Sequence, residues 1–247
     1  MFYAERETQA PHMTSFRAIF YDAGRTLLRP KPNERDIWDF LGRQLGMKLD
    51  VERKMPDVGH FFYARLGEDG LGAYDSDERA RSFWGSYYVQ AMRDAGVDLP
   101  QEQLVSAATA LSDWYTEPET WELYPDVIET LDGARERGLL QGIVSDWGSE
   151  LISLLHAHEL TGHLDFVVAS ANVRSAKPHP DIFRYALARA QLEAQDVLYV
   201  GDSYLSDVLG ARTVGIAPVL IDREGKAPEV DCPVVRRLTE VLDLIEA

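Results

Sequence analysis

Four places in the chain offer side chains that could act together on a substrate. Asp22 is an isolated carboxylate that follows the apolar run Ala18-Ile19-Phe20-Tyr21 and precedes a small turn, Ala23-Gly24-Arg25. Ser145-Asp146 closes a second apolar run, Lys177 lies in the segment SAKPHPDIF, and Gly201-Asp202-Ser203 closes a third run with Asp207 just beyond it. An aspartate at such a place can cap a turn, attack a substrate or ligate a metal. Carboxylates, a hydroxyl and a lysine together suit phosphoryl chemistry. Asp22 can attack phosphorus and form an aspartyl-phosphate, which splits one hard hydrolysis into two steps. Asp22 and Asp202, with Asp207 nearby, are hard oxygen ligands suited to Mg²⁺, which offsets repulsion between an anionic nucleophile and an anionic substrate. Ser145 and the backbone N–H groups of the turn at Ala23, Gly24 and Arg25 would bind the transferring oxygens. Lys177 would bring a fixed positive charge to the phosphoryl group and the nucleophile.

These residues meet only if their elements end on a common edge. Apolar runs at 18–21, 140–144, 166–169, 197–200 and 218–221 read as strands. After Trp121 they alternate with helical patterns at 127–137, 149–158, 180–190, 206–213 and 238–245. That alternation predicts right-handed βαβ units and a parallel sheet with helices on both faces, a three-layer α/β/α core. The carboxyl ends of its strands share one edge, so Asp22, Ser145 and Asp202 converge there, and the loop carrying Lys177 can reach the same cleft. From Pro30 to about Pro118 the pattern is helical throughout. Asn33 can cap a helix with Ile37, Phe40, Leu41 and Leu45 inward, ending near Gly46. Further helices are expected at 51–66, 78–95 and 101–115, with a Gly- and Asp-rich loop at 67–77. The expected organisation is an α/β core at 14–31 and 119–247, an all-α insert at 32–118, and a tail at 1–13.

With 247 residues, 45% of them apolar, the chain can bury a sizeable core, and no segment approaches the apolar length of a membrane span. The first fifteen residues mix both signs of charge and lack the apolar stretch of a signal peptide. The single cysteine, Cys232, fits a reducing cytoplasm. A net charge of −16 argues against nucleic acid as the main ligand but not against a small anion held by a few placed cations and a divalent metal. The expected partner is a small phosphorylated metabolite, without nucleic acid or membrane, bound by a monomer or homodimer.

From residue 16 to the C-terminus the chain resembles the haloacid dehalogenase superfamily of hydrolases. The resemblance rests on Asp22-Ala23-Gly24-Arg25-Thr26-Leu27, Ser145 after its strand, Lys177-Pro178, and Gly201-Asp202-Ser203 with Asp207, in that order. It implies a Rossmann-like core, a helical cap formed by the insert, and Mg²⁺ as cofactor. It implies Asp22 as nucleophile, Ser145 and Lys177 as phosphate-binding residues, Asp202 and the Gly24 carbonyl as metal ligands, and Asp207 as a direct or outer ligand.

One departure matters. Phosphatases of that superfamily place a second aspartate two residues after the nucleophile, where it moves the leaving-group proton; here the position is Gly24. General acid–base help is worth about 10²–10⁴-fold. The departure fits a slow or selective phosphatase, one with an acid from elsewhere, for which Asp146 is a candidate besides its reading as a cap. It also fits a metal-independent 2-haloacid dehalogenase-type or a phosphonate-type hydrolase, and a regulatory protein that binds phosphate with little turnover. The phosphonate reading needs a cap lysine, for which the insert offers Lys31, Lys48 and Lys54, all expected at the surface. Arg25 is either a clamp for a substrate anion or a solvated side chain. His156, His158 and His179 form no metal-binding pattern.

Overall fold

Strand β1, Ala18–Tyr21, is wholly buried along its length. A strand shielded on both faces belongs in the middle of a parallel sheet. The computed structural model describes residues 16–49, 55–56, 61 and 74–245 and puts β1 there. Its neighbours are β4, Leu140–Ser145, and β6, Val197–Gly201. Outside these lie β5, Phe166–Ala169, β7, Ala217–Ile221, and β8, Val234–Val235, so that the six strands run β5-β4-β1-β6-β7-β8, all parallel.

The two faces of the sheet follow the period of two along β1. Ile19 and Tyr21 pack with Val127 and Leu131 of α4 (Val127–Glu136) and with Leu151 and Leu154 of α5 (Leu151–Ala157). Ala18 and Phe20 pack on the other side with Ile182, Phe183 and Ala186 of α6 (Pro180–Ala190). Each fully buried side chain of this size contributes about 1.5–3 kcal/mol. The three-layer α/β core is as expected.

The insert is helical in its described residues. Helix α1, Glu34–Leu45, starts at Asn33, whose side chain accepts from the Arg35 and Asp36 N–H groups while Asp36 accepts from Asn33, and stops at Gly46 with φ 65°. Helices α2, Asp77–Asp94, and α3, Gln101–Trp114, pack against it through Trp38, Leu41, Tyr87, Tyr88, Leu104 and Leu111. Most of the helix expected at 51–66 and most of the loop at 67–77 lie outside the described residues.

Several features differ from expectation, the two-residue edge strand β8 among them. The chain entering and leaving the insert pairs as a short antiparallel ribbon, β2 (Leu28–Pro30) with β3 (Trp121–Leu123). Three-residue strands are too short to show a period. The helix expected at 206–213 begins as a π-helical stretch, Tyr204–Leu209, before a turn of α-helix at Gly210–Arg212. That widened turn lets the Asp207 side chain fold back onto the Ser203 N–H at 2.8 Å. The closing helix is a 3₁₀-helix, Leu238–Leu244, and its buried residues Leu238 and Val241, three apart, fit either helical pitch.

Candidate active site

The carboxyl ends of β1, β4 and β6 bring Asp22, Ser145 and Asp202 to one edge, and Lys177 reaches them from the loop ahead of α6. Asp22 Oδ1 accepts from Ser145 Oγ at 2.8 Å and from Lys177 Nζ at 2.7 Å. Among the described residues nothing donates to its second oxygen, Oδ2. Lys177 Nζ also donates to Asp207 Oδ1 at 2.6 Å and to the Tyr199 hydroxyl at 3.2 Å, so its three protons are all committed. Tyr199 stands 3.0 Å from Asp207 Oδ1 and 2.8 Å from the Val144 carbonyl. Asp207 is brought this close because residue 201 is glycine; a Cβ there would fall within the Asp207 carboxylate.

One oxygen from each of Asp22, Asp202 and Asp207 lies within 4.8 Å of the others. Burial pushes the Asp22 carboxyl up; Lys177 pulls it back and Asp207 pushes it further. Asp202 is pushed up to about 8 by burial and by the Asp22 and Asp207 charges, and it has no hydrogen-bond partner among the described residues. Burial alone would lower the Lys177 ammonium, but Asp207 and Asp22 outweigh it and hold the lysine charged well above its usual range. Three crowded carboxylates facing one ammonium leave negative charge in excess. An unpartnered Asp202 with one oxygen each of Asp22 and Asp207 is a set of hard donors placed to receive a small divalent cation, so the residues present fit Mg²⁺.

The Ser145 proton points at Asp22, and the Lys177 protons point at Asp22, Asp207 and the Tyr199 hydroxyl, because two buried neighbouring carboxylates need donors and a counter-charge to be stable. In the turn, the Arg25 N–H is spent on the Leu28 carbonyl at 2.6 Å, while the Ala23 and Gly24 N–H groups have no acceptor among the described residues. Ala23 itself is fully buried. Arg25 is exposed, with φ 57°, and forms no ion pair among the described residues. Asp146 accepts the Lys177 backbone N–H at 2.8 Å, which fixes the loop carrying the lysine, and burial pushes its carboxyl up to about 7 despite the lowering by Lys177.

Sequence reasoning missed Tyr199, Trp147 and Arg223. Tyr199 reads as one more apolar residue of a strand. The Trp147 ring covers Gly24, with Cζ3 3.2 Å from where a Cβ would stand, and packs on Trp121 at 4.8 Å between ring centres. Arg223 donates to the Thr26 carbonyl at 2.7 Å and to Asp126 at 2.6 Å, and lies 4.0 Å over the Tyr124 ring, bracing the turn after Asp22 from just beyond β7.

Residues 57–221 match the family model described as "Haloacid dehalogenase-like hydrolase". A mouse protein named haloacid dehalogenase-like hydrolase domain-containing protein 3 is 35% identical over 178 residues, 68% of this chain and 70% of that one. A phosphoserine phosphatase of Thermus thermophilus is 28% identical over 237 residues, 86% of this chain and 91% of its own length. The crystal structure of a HAD phosphatase from Thermococcus onnurineus superposes with a TM-score of 0.63 at 27% identity, covering 93% of this chain and 97% of that one.

Proposed function

The chain belongs to the haloacid dehalogenase-like hydrolases, and from that footing we propose that it is a Mg²⁺-dependent phosphatase, acting on a small phosphate ester through an aspartyl-phosphate on Asp22. The observation that carries this reading is the asymmetry of the Asp22 carboxylate. One oxygen is held by Ser145 and Lys177 and the other takes no hydrogen bond among the described residues, while an oxygen of Asp22 lies within 4.8 Å of one from Asp202 and one from Asp207.

Fixing Oδ1 orients the carboxylate so that Oδ2 bonds to phosphorus as the bond to the leaving oxygen breaks. Asp22, Asp202, Asp207 and the Gly24 carbonyl would hold Mg²⁺, which supplies charge neutralisation for the phosphoryl oxygens. The N–H groups of Ala23 and Gly24 are the donors available to those oxygens, and Lys177 acts through the carboxylates it holds. The exposed Arg25 guanidinium is offered to a second anionic group of the substrate. The insert would serve as a cap over this edge. Its described contacts with the core include Ser149, whose N–H and hydroxyl both donate to Asp77 at 2.7 Å, and the Ser170 hydroxyl, which donates to the Tyr74 carbonyl at 2.6 Å. The relatives named as phosphatases support the phosphate ester reading. The net charge of −16 favours a small metabolite over a nucleic acid.

The test is release of phosphate from p-nitrophenyl phosphate with Mg²⁺, by wild type and by Asp22→Asn. Turnover in wild type and a loss on the order of 10⁴-fold in the variant are expected. Equal, near-zero turnover in both would leave a phosphate-binding regulatory protein instead. Halide release from a 2-haloacid without metal would point to dehalogenation.

A further inference from the structure

The turn that follows Asp22 is walled at Gly24 by an aromatic ring. The Trp147 indole occupies the space into which any side chain at position 24 would grow, Cζ3 standing 3.2 Å from the Gly24 Cβ position. The ring is not loosely placed. Trp147 packs on Trp121, and its backbone N–H donates at 3.1 Å to the Ser170 hydroxyl, which in turn donates to the Tyr74 carbonyl. Trp121 is fixed in turn, its indole N–H donating to the Tyr115 carbonyl at 2.8 Å and its ring lying 5.9 Å from that of Tyr115. Half-buried aromatic surface therefore runs from the nucleophile turn toward the end of α3. Gly24 brings no side chain to that wall, and the charged groups felt by Tyr115 at its far end are Arg25 and Asp36. Asp146, which follows Ser145, is engaged with the Lys177 backbone N–H.

We propose that the site is selective for phosphate esters of flat, weakly basic alcohols, aryl or enol phosphates, whose leaving group lies against Trp147 and departs as an anion. This rests on the phosphatase reading and narrows its substrate class. In the first step an oxygen of the Asp22 carboxylate bonds to phosphorus, and the ester P–O bond breaks with its electron pair going to the leaving oxygen. An aryloxide or enolate holds that pair by delocalisation, whereas an alkoxide needs a proton as it leaves. In the second step water bonds to phosphorus, the acyl O–P bond returns its pair to the Asp22 carboxylate, and both protons of the water stay with the phosphate, which leaves as the dihydrogen anion.

The experiment measures kcat/KM with Mg²⁺ for a series of substituted phenyl phosphates and for ethyl phosphate. A steep dependence on leaving-group pKa is expected, with ethyl phosphate at least about 100-fold below phenyl phosphate, the size of the general-acid help that is missing. Asp146→Asn should keep that steep dependence. Calorimetric binding of phenylphosphonate against methylphosphonate, with no turnover involved, should favour the aryl compound about tenfold in wild type. Trp147→Ala should erase that preference, and Trp147→Leu, which keeps bulk against Trp121, should do the same if the alanine variant fails to fold. A leaving-group dependence that is flat in wild type and steep only in Asp146→Asn would make Asp146 the proton donor and overturn the proposal. Equal binding of the two phosphonates by wild type would overturn it as well. Failure to hydrolyse any phosphate would overturn the phosphatase reading itself, an outcome distinct from hydrolysing all of them alike.

Discussion

Asp22 has two sides that differ in how their polar groups are used. On the sheet side, Ser145, Lys177, Tyr199 and Asp207 form a closed set in which every lysine proton has a protein acceptor. On the outer side stand Gly24 without a side chain, Arg25 without an ion pair among the described residues, and the Trp147 ring. The difference separates two tasks. The sheet side makes a buried carboxylate tolerable and aims it, and that arrangement is complete before any substrate arrives. The outer side is left unsatisfied, so selectivity for substrate has to come from there. Perturbing the first side should cost stability, and perturbing the second should change substrate preference with little cost in folding.

The largest effect is expected at Lys177. Lys177→Met keeps the length of the side chain and removes the charge, leaving Asp22 and Asp207 buried side by side without a counter-ion. Removing one partner of a buried ion pair costs about 3–5 kcal/mol. Urea denaturation should show a loss of that size, and the proposed phosphatase activity should be lost with it. A stable Lys177→Met protein would mean that water already relieves the carboxylates, and the contrast between the two sides would fail.

A smaller effect follows from the metal. If Asp22, Asp202 and Asp207 bind Mg²⁺, a hundredfold excess over its dissociation constant should stabilise the protein by about 2.7 kcal/mol. Asp202→Asn should abolish that response and, because Asp202 is crowded by like charge, leave the metal-free protein no less stable than wild type. Scanning calorimetry with and without Mg²⁺ reads both. An undiminished metal response in Asp202→Asn would remove Asp202 from the ligand set.

This contrast was only half legible in the sequence. Asp22, Ser145, Lys177 and Asp202 were readable because a parallel sheet brings strand ends to one edge, and alternation of strands and helices is enough to predict such a sheet. Their meeting is a consequence of topology. What the protons of Ser145 and Lys177 point at was not readable, since it depends on distances of a few tenths of an ångström and on Tyr199, whose hydroxyl is hidden inside an apolar strand pattern. Trp147 was not readable as Gly24's neighbour either. The two are far apart in sequence, and only β1 pairing with β4 sets one turn against the other. The β2–β3 ribbon escaped for the simpler reason that three-residue strands carry no period.

Next in size is a pH effect at Asp146, where the sheet side meets the loop of Lys177. Its carboxyl is pushed up to about 7 by burial, against an ordinary value of 3.8. Between those two values the folded protein keeps a proton that the unfolded chain has released. Stability from this group is therefore fully present below about pH 4 and is lost as pH rises toward 7. The carboxyl keeps partial access to water, so a drop on the order of 2 kcal/mol is expected, about half of what the full shift would give. Asp146→Asn keeps an oxygen to accept the Lys177 N–H and should remove that part of the slope. Denaturation of both proteins at pH 4, 5.5 and 7 compares them; parallel curves would show that Asp146 is already ionised in the folded state.

The smallest effect sharpens the comparison most, because it should move stability and affinity in opposite directions. Arg25 holds φ 57°, a left-handed conformation that costs a side-chain-bearing residue about 1–2 kcal/mol and glycine almost nothing. Arg25→Gly relieves that strain but frees the unfolded chain, which takes back about 0.4–1 kcal/mol, so a net gain on the order of 0.5 kcal/mol is expected. If the exposed guanidinium serves a substrate anion, the same variant should raise KM roughly tenfold. A variant that is more stable with KM unchanged would show that Arg25 serves no substrate, and the outer side would then select through Trp147 alone.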